Sequence, residues 1–288
     1  MAITVTKLGY ALGAAVTGLD LREPLDGDLV AAVRQAWLDH LVLVFPGQDV
    51  TPEQQIRFSR YLGPVEEYPL HHYRLPGHPE IFHLTNVGND GRAGSAQTAG
   101  LGRHWHSDLS FTALPAMGSM LRCKQVPDYG GTTGFANQYM AYERLTPAFR
   151  ALMENLQAVH ELFSKTPNLK DLDQGQVKDL KKGNPRIAQP VVRVHPETGR
   201  KALYVSEALC SEIVGMSRDE SETLLEFLFR HQTRVEFTYR HHWKPNDIVL
   251  WDNRCTLHMA VPDNDHLQPR VMYRTTITGT PCGTPLET

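Results

Sequence analysis

Three short stretches carry the residue types from which a metal site could be assembled. His104-Trp105-His106-Ser107-Asp108 supplies imidazoles and a carboxylate within one short run. Read as a β-strand, the run puts His106 and Asp108 on one face, roughly 6–7 Å apart, near enough to share a divalent ion. His104 falls on that face too. A His-x-Asp spacing arises easily by chance, so the assignment needs support from elsewhere. Ile248 to Trp251 reads as a short apolar strand that ends in the turn-forming Asp252-Asn253, with His258 at the start of the next segment. Two imidazoles and one carboxylate, two of them close in sequence and the third remote, suit non-haem Fe(II) and leave metal positions open for substrate and oxygen. The third stretch, Arg270 to Ile277, reads as a strand with Arg270, Met272, Arg274 and Thr276 on one face. Two inward guanidinium groups need anionic partners. In a regular strand they lie about 13 Å apart, too far for one compact anion to bridge.

The residues Trp105-His106-Ser107-Asp108, Gly130-Gly131-Thr132-Thr133, Trp251-Asp252-Asn253-Arg254 through His258, and Arg270 to Arg274 occur in an order that resembles the taurine dioxygenase and 2,4-dichlorophenoxyacetate dioxygenase family of Fe(II)/2-oxoglutarate-dependent oxygenases. The resemblance runs from Gly13 to Ile277. It implies that His106, Asp108 and His258 are the Fe(II) ligands, with no metal role for His104. It implies that Arg270 pairs with the distal carboxylate of 2-oxoglutarate, the cosubstrate, and that Thr133 hydrogen-bonds it. Arg274 matches the arginine that meets the substrate's acid group in the taurine enzyme. Tyr68, His71 and Phe163 fall near other substrate positions, as do Gly102 and Leu209, and Gly102 stands where the taurine enzyme has an amide side chain. The implied reaction consumes O2, hydroxylates a C–H bond of a small sulfonate, alkyl sulfate, aryloxyalkanoate or other carboxylate, and releases succinate and CO2. A hydroxylated carbon next to a heteroatom would then fragment. A metal-dependent hydrolase on similar ligands, or a non-catalytic metal or organic-acid binder of the same fold, are the alternatives; the hydrolase has no use for a second anion site such as Arg270.

The elements that must position these groups follow in order. Asp28 is a candidate cap for a helix carrying Val30, Val33 and Trp37, and Leu41 to Phe45 reads as a buried strand stopped by Pro46-Gly47. Thr51-Pro52-Glu53-Gln54 opens a second helix that ends at Gly63. The Gly-, Ser- and Asn-rich stretch Asn86 to Gly102 and the polar stretch Lys165 to Gln189 read as loops over the site, giving lid segments near 66–102 and 163–189. Strands are expected at Met117 to Val126, Val235 to Tyr239 and Arg270 to Thr278, a hairpin at Pro190 to Val205, and a helix after the capping box Ser217 to Glu220. This pattern suggests a mainly β protein with flanking helices; the resemblance implies the double-stranded β-helix, or jelly roll, in a single domain over 1–288.

Composition narrows the partners. A chain of 288 residues with net charge −3 and mixed charge signs has no basic footprint for nucleic acid and no apolar run long enough for a membrane span. Cys123, Cys210, Cys255 and Cys282 are widely spaced and form no Cys-x-x-Cys, as expected of reduced thiols in the cytoplasm. The expected partner is a small anionic molecule, in a homo-oligomer (dimer or tetramer).

Overall fold

The computed structural model describes residues 3–68, 73–88, 90–94, 102–162, 182–264 and 267–286. The chain opens with the strands β1 (Thr4–Lys7) and β2 (Ala14–Thr17), then α1 (Gly27–His40), β3 (Val42–Phe45), α2 (Pro52–Leu62), β4 (Arg74–Leu75) and β5 (His78–Thr85). The centre holds β6 (Ala116–Gln125), β7 (Thr133–Asn137), α3 (Gln138–Glu143), α4 (Pro147–Met153), β8 (Gln157–His160), β9 (Ile187–Pro190), β10 (Val192–Val194), β11 (Lys201–Leu203), β12 (Cys210–Ile213) and α5 (Arg218–Gln232). The last part holds β13 (Thr238–His241), β14 (Ile248–Asp252), β15 (Thr256–Ala260), β16 (Val271–Thr278) and β17 (Thr284–Pro285).

Two sheets form the frame. An eight-stranded sheet runs in the order β1-β2-β3-β14-β6-β16-β5-β4, and a three-stranded sheet in the order β13-β7-β15. Buried apolar residues from both, among them Val42, Val44, Leu121, Val249, Trp251 and Met272 of the large sheet and Phe135 of the small one, share one cluster. That is the two-layer packing of a jelly roll. On the other face of the large sheet, α1 and α2 close a second cluster with Trp37, Phe58, Phe45 and Met120. Trp37 packs so tightly there that a Cβ on Gly118 would sit 2.5 Å from its ring, so only glycine fits that position of β6. A third cluster joins α3 and α5 to β8, β11 and β12.

The helix signals act as the sequence chemistry requires, with one shift. Thr51 and Gln54 cap α2 reciprocally, and Ser217 and Glu220 do the same for α5. Asp26, rather than Asp28, caps α1: its side chain accepts from Leu29 N, and Asp28 lies inside the first turn, where its charge favours the helix dipole. The strand expected from Val235 is shorter, because Val235–Phe237 winds into a 3-10 turn before β13 begins.

Buried polar residues tie β8 to its neighbours. His160 Nδ1 lies 2.9 Å from Ser110 Oγ, and Nε2 lies 3.1 Å from Cys210 Sγ. Burial pulls the His160 pKa down from 6.5 to about 3. Its folded pKa is therefore the lower one, so the unfolded chain takes up the proton first as pH falls. The stability it contributes is complete above about pH 6.5 and is lost toward pH 3, by at most about 1.4 kcal/mol per pH unit. We expect His160→Gln to flatten the acid limb of stability measured by urea unfolding between about pH 6 and pH 4. Identical slopes in the two proteins would contradict this.

Candidate metal centre

The three ligand-type residues meet through a single bridge between remote segments. His106 N donates to His258 O at 3.0 Å, and His258 N donates to His106 O at 2.9 Å. That reciprocal pair sets the imidazoles side by side, with ring centroids 4.1 Å apart. His258 lies within β15, held on its other side against Phe135 of β7. The stretch around His106 is not the strand its spacing suggests. It pairs at this one residue and then turns, with Leu109 at φ 55°. Asp108 reaches the imidazoles because Asn253 holds this loop: Ser107 Oγ donates to Asn253 O at 2.7 Å, and Asp108 N donates to Asn253 Oδ1 at 3.2 Å.

One ligand atom from each of His106, Asp108 and His258 lies within 4.8 Å of the others. His106 Nδ1 is 2.8 Å from the carbonyl of His104, so it carries the proton and donates, which leaves Nε2 with its lone pair. His104 thus serves the centre through its backbone, and its ring faces Glu207 at 3.7 Å. Burial lowers the pKa of both His106 and His258, keeping each imidazole in the neutral form that binds metals. Burial alone would raise the Asp108 pKa; the charge of Arg274, with a hydrogen bond from Ser119, outweighs it and holds the carboxyl well below its usual range. Two neutral nitrogens and one anionic oxygen fit a borderline divalent ion such as Fe(II).

Of the two arginines of the β16 stretch, Arg274 contacts this centre and Arg270 lies against the Gly130-Gly131 turn. Arg274 Nη1 donates to Asp108 Oδ1 at 2.6 Å, and its guanidinium lies 5.0 Å from the Phe82 ring and 5.9 Å from that of Tyr68. Tyr68 stacks on Phe82 at 4.0 Å, so it stands beside Arg274, and burial pushes its phenol up to about 12. Arg270 precedes β16. Among the described residues its guanidinium makes one hydrogen bond, from Nε to Gly131 O at 3.3 Å, and no carboxylate pairs with it. The nearby Asp263 is taken by Thr132 and Arg240. Thr133 Oγ1 accepts from Trp243 Nε1 at 2.9 Å, which leaves the hydroxyl proton free to donate elsewhere. The Gly130-Gly131 turn is dictated by space: Gly130 has φ +73°, and a Cβ there would lie 2.0 Å from Asp263 O.

His71 and Phe163 lie outside the described residues, as do 163–181 of one expected lid and 69–72, 89 and 95–101 of the other. Sequence reasoning missed Ser119, Asn253 and Trp243 as partners of the site. A signal existed for Ser119, a hydroxyl inside the apolar run of β6, and for Asn253, between Trp251 and His258. Trp243 carries no local signal.

A second ligand-like group, His195, Asp252 and Cys255, also has atoms within 4.8 Å of one another. Its hydrogen bonds already satisfy it. His195 Nδ1 accepts from the N–H groups of Glu197 and Thr198, so Nε2 must donate to Asp252 Oδ2, at 3.0 Å. Arg254 donates to both oxygens of Asp252. This network locks the turn between β14 and β15 that carries Asn253.

Residues 4–276 match the family described as "Taurine catabolism dioxygenase TauD, TfdA family". The chain belongs to this family. It is 34% identical over 291 residues to the (S)-phenoxypropionate/alpha-ketoglutarate-dioxygenase of Delftia acidovorans, covering 97% of this chain and 96% of that protein. It is also 34% identical over 283 residues to the alpha-ketoglutarate-dependent sulfate ester dioxygenase of Pseudomonas putida, covering 96% and 90%. The crystal structure of AAD-2 in complex with Mn(II) and N-oxalylglycine superposes with a TM-score of 0.84 at 34% identity, over 100% of both chains. Membership of the TauD/TfdA family makes the protein an Fe(II)- and 2-oxoglutarate-dependent dioxygenase that uses O2. Among the described residues no helix is long and apolar enough to cross a membrane.

Proposed function

We propose that His106, Asp108 and His258 hold the Fe(II), that Arg270 and Thr133 receive the distal carboxylate of 2-oxoglutarate, and that Arg274 engages the acid group of the prime substrate. The enzyme then hydroxylates a C–H bond of a sulfonate, alkyl sulfate, aryloxyalkanoate or other small carboxylate, and the product fragments where that carbon bears a heteroatom. The observation that carries this reading is the pair of arginines on one stretch, Arg274 bonded to Asp108 of the triad and Arg270 with no carboxylate partner among the described residues. Relatives that act on phenoxypropionate and on sulfate esters support an anionic substrate. The whole chain is read as one domain, a cytoplasmic homodimer or tetramer; the four thiols, none of them in a disulfide, support the cytoplasm. Light scattering behind size exclusion tests the assembly, and a monomer would contradict it.

When bound, the iron and 2-oxoglutarate supply the activation of O2 and the oxidising power for C–H hydroxylation. The chain's own part is positioning. His106 and His258 stay neutral and offer lone pairs. Arg270 neutralises and aligns the far end of the dicarboxylate, where a planar guanidinium can bind in bidentate fashion. Trp251, with its ring centroid 4.7 Å from that of His258, and Phe135, at 6.3 Å, wall the imidazole off from water. Arg274, flanked by Tyr68 and Phe82, fixes the substrate's acid group and so the carbon presented to the metal. Replacing Arg274 with Gln should lower kcat/KM for the prime substrate by about 100-fold and shift the 2-oxoglutarate KM only slightly. Equal losses for both would make Arg274 a structural partner of Asp108 and nothing more.

A further inference from the structure

The hydrogen bonds behind Asp108 can run in one direction only. An indole N–H donates and never accepts. Trp251 Nε1 donates to Asn253 Oδ1 at 3.0 Å, and the Asp108 N–H donates to the same oxygen at 3.2 Å, so the orientation of that amide is settled. Its nitrogen therefore faces β6, where Asn253 Nδ2 donates to Ser119 Oγ at 2.9 Å. With that oxygen accepting, Ser119 has one proton to give, and gives it to Asp108 Oδ2 at 2.6 Å. A carboxylate can only accept. The relay Trp251, Asn253, Ser119, Asp108 thus begins at an obligate donor and ends at an obligate acceptor, with no second arrangement. Relative exposures of 1%, 0%, 0% and 5% leave water no place to compete.

The backbone holds the relay's geometry. Ser119 faces Trp251 across the β6–β14 pairing and Thr276 across the β6–β16 pairing, in the middle of the large sheet. The Asp108 carboxylate is thus gripped by Ser119 on one oxygen and by Arg274 on the other.

From this geometry we infer that Ser119 and Asn253 are positioning residues of the metal centre, which set the rotation of the Asp108 carboxylate and through it the affinity for the ion. The inference rests on Asp108 being a ligand. Titration of the apoprotein with Co(II), followed by its ligand-field absorption, reads affinity without turnover. Ser119→Ala should weaken Co(II) binding by about 10–100-fold. Ser119→Cys, which keeps the shape and a weak donor, should fall between alanine and the wild type, and it decides the matter if the alanine variant does not fold. A merely structural Ser119 would lower the apoprotein Tm and leave the Co(II) affinity of the folded protein unchanged. Wild-type affinity in the folded Ser119 variants overturns the relay. Asp108→Asn separates the two readings: if it too binds Co(II) as the wild type does, the ligand assignment fails, not only the relay.

Discussion

Asp108→Asn should form no succinate above background with any substrate, a loss of about 4 kcal/mol or more of transition-state stabilisation, a thousandfold in rate. The amide keeps the shape of the side chain and removes the one anionic donor of the predicted triad. Alanine is the poorer choice here. Arg274 has 11% of its side chain exposed and bonds Asp108 directly, so truncation would strand its charge at a cost of about 3–5 kcal/mol of stability. Loss of activity in such a protein would mix unfolding with chemistry. The asparagine variant keeps one acceptor for that guanidinium but not the charge, so its apoprotein should also lose Tm, though less than the alanine variant, and the comparison is made on folded protein, where Fe(II) affinity and succinate formation should collapse. Turnover within tenfold of wild type would remove Asp108 from the ligand set.

The second large effect is expected at Arg270. Arg270→Met keeps the length of the stem and removes the guanidinium, and the KM for 2-oxoglutarate should rise by about 30- to 1,000-fold, equivalent to about 2–4 kcal/mol. Because Arg270 would hold the end of the cosubstrate that does not react, kcat at saturating 2-oxoglutarate should fall much less than kcat/KM. Co(II) affinity should not change. The apoprotein should also lose little stability, within about 1 kcal/mol, since the guanidinium makes only the one long hydrogen bond to Gly131 O and no ion pair among the described residues. An unchanged KM would show that another residue receives the carboxylate; a large drop in apoprotein stability would show that Arg270 is structural.

How much of this was legible in the sequence depended on how local the cause was. The capping boxes at Thr51 and Ser217 were readable because donor and acceptor lie three residues apart. The helix at Gly27–His40 was readable from its apolar spacing, but two acidic residues compete for its cap, and only the backbone shows that Asp26 is the one with extended φ and ψ. Residue types drew attention to His106, Asp108 and His258, and motif order gave them their roles. Their meeting through one bridge in place of a strand was hidden, since the pairing partner of His106 is 152 positions away in β15. Spacing put Arg270 and Arg274 on one face, but not the contact of Arg274 with Asp108, which depends on how β16 sits against the His106 loop. Ser119, marked only as a hydroxyl in an apolar run, and Trp243, unmarked, could not be tied to the site for the same reason. Each acts on a group far away in sequence, and only the register of β6 with β14 and the packing of the small sheet bring them there.

The most direct test is succinate formation by the Fe(II)-loaded protein from 2-oxoglutarate and O2, screened over sulfonates, alkyl sulfates, aryloxyalkanoates and other small carboxylates, with Asp108→Asn in parallel. The predicted result is stimulation by at least one anionic class in the wild type and none in the variant. Succinate at the variant's level with every member of the panel, from protein that has bound Fe(II), would contradict the assignment of the centre and its anionic substrate.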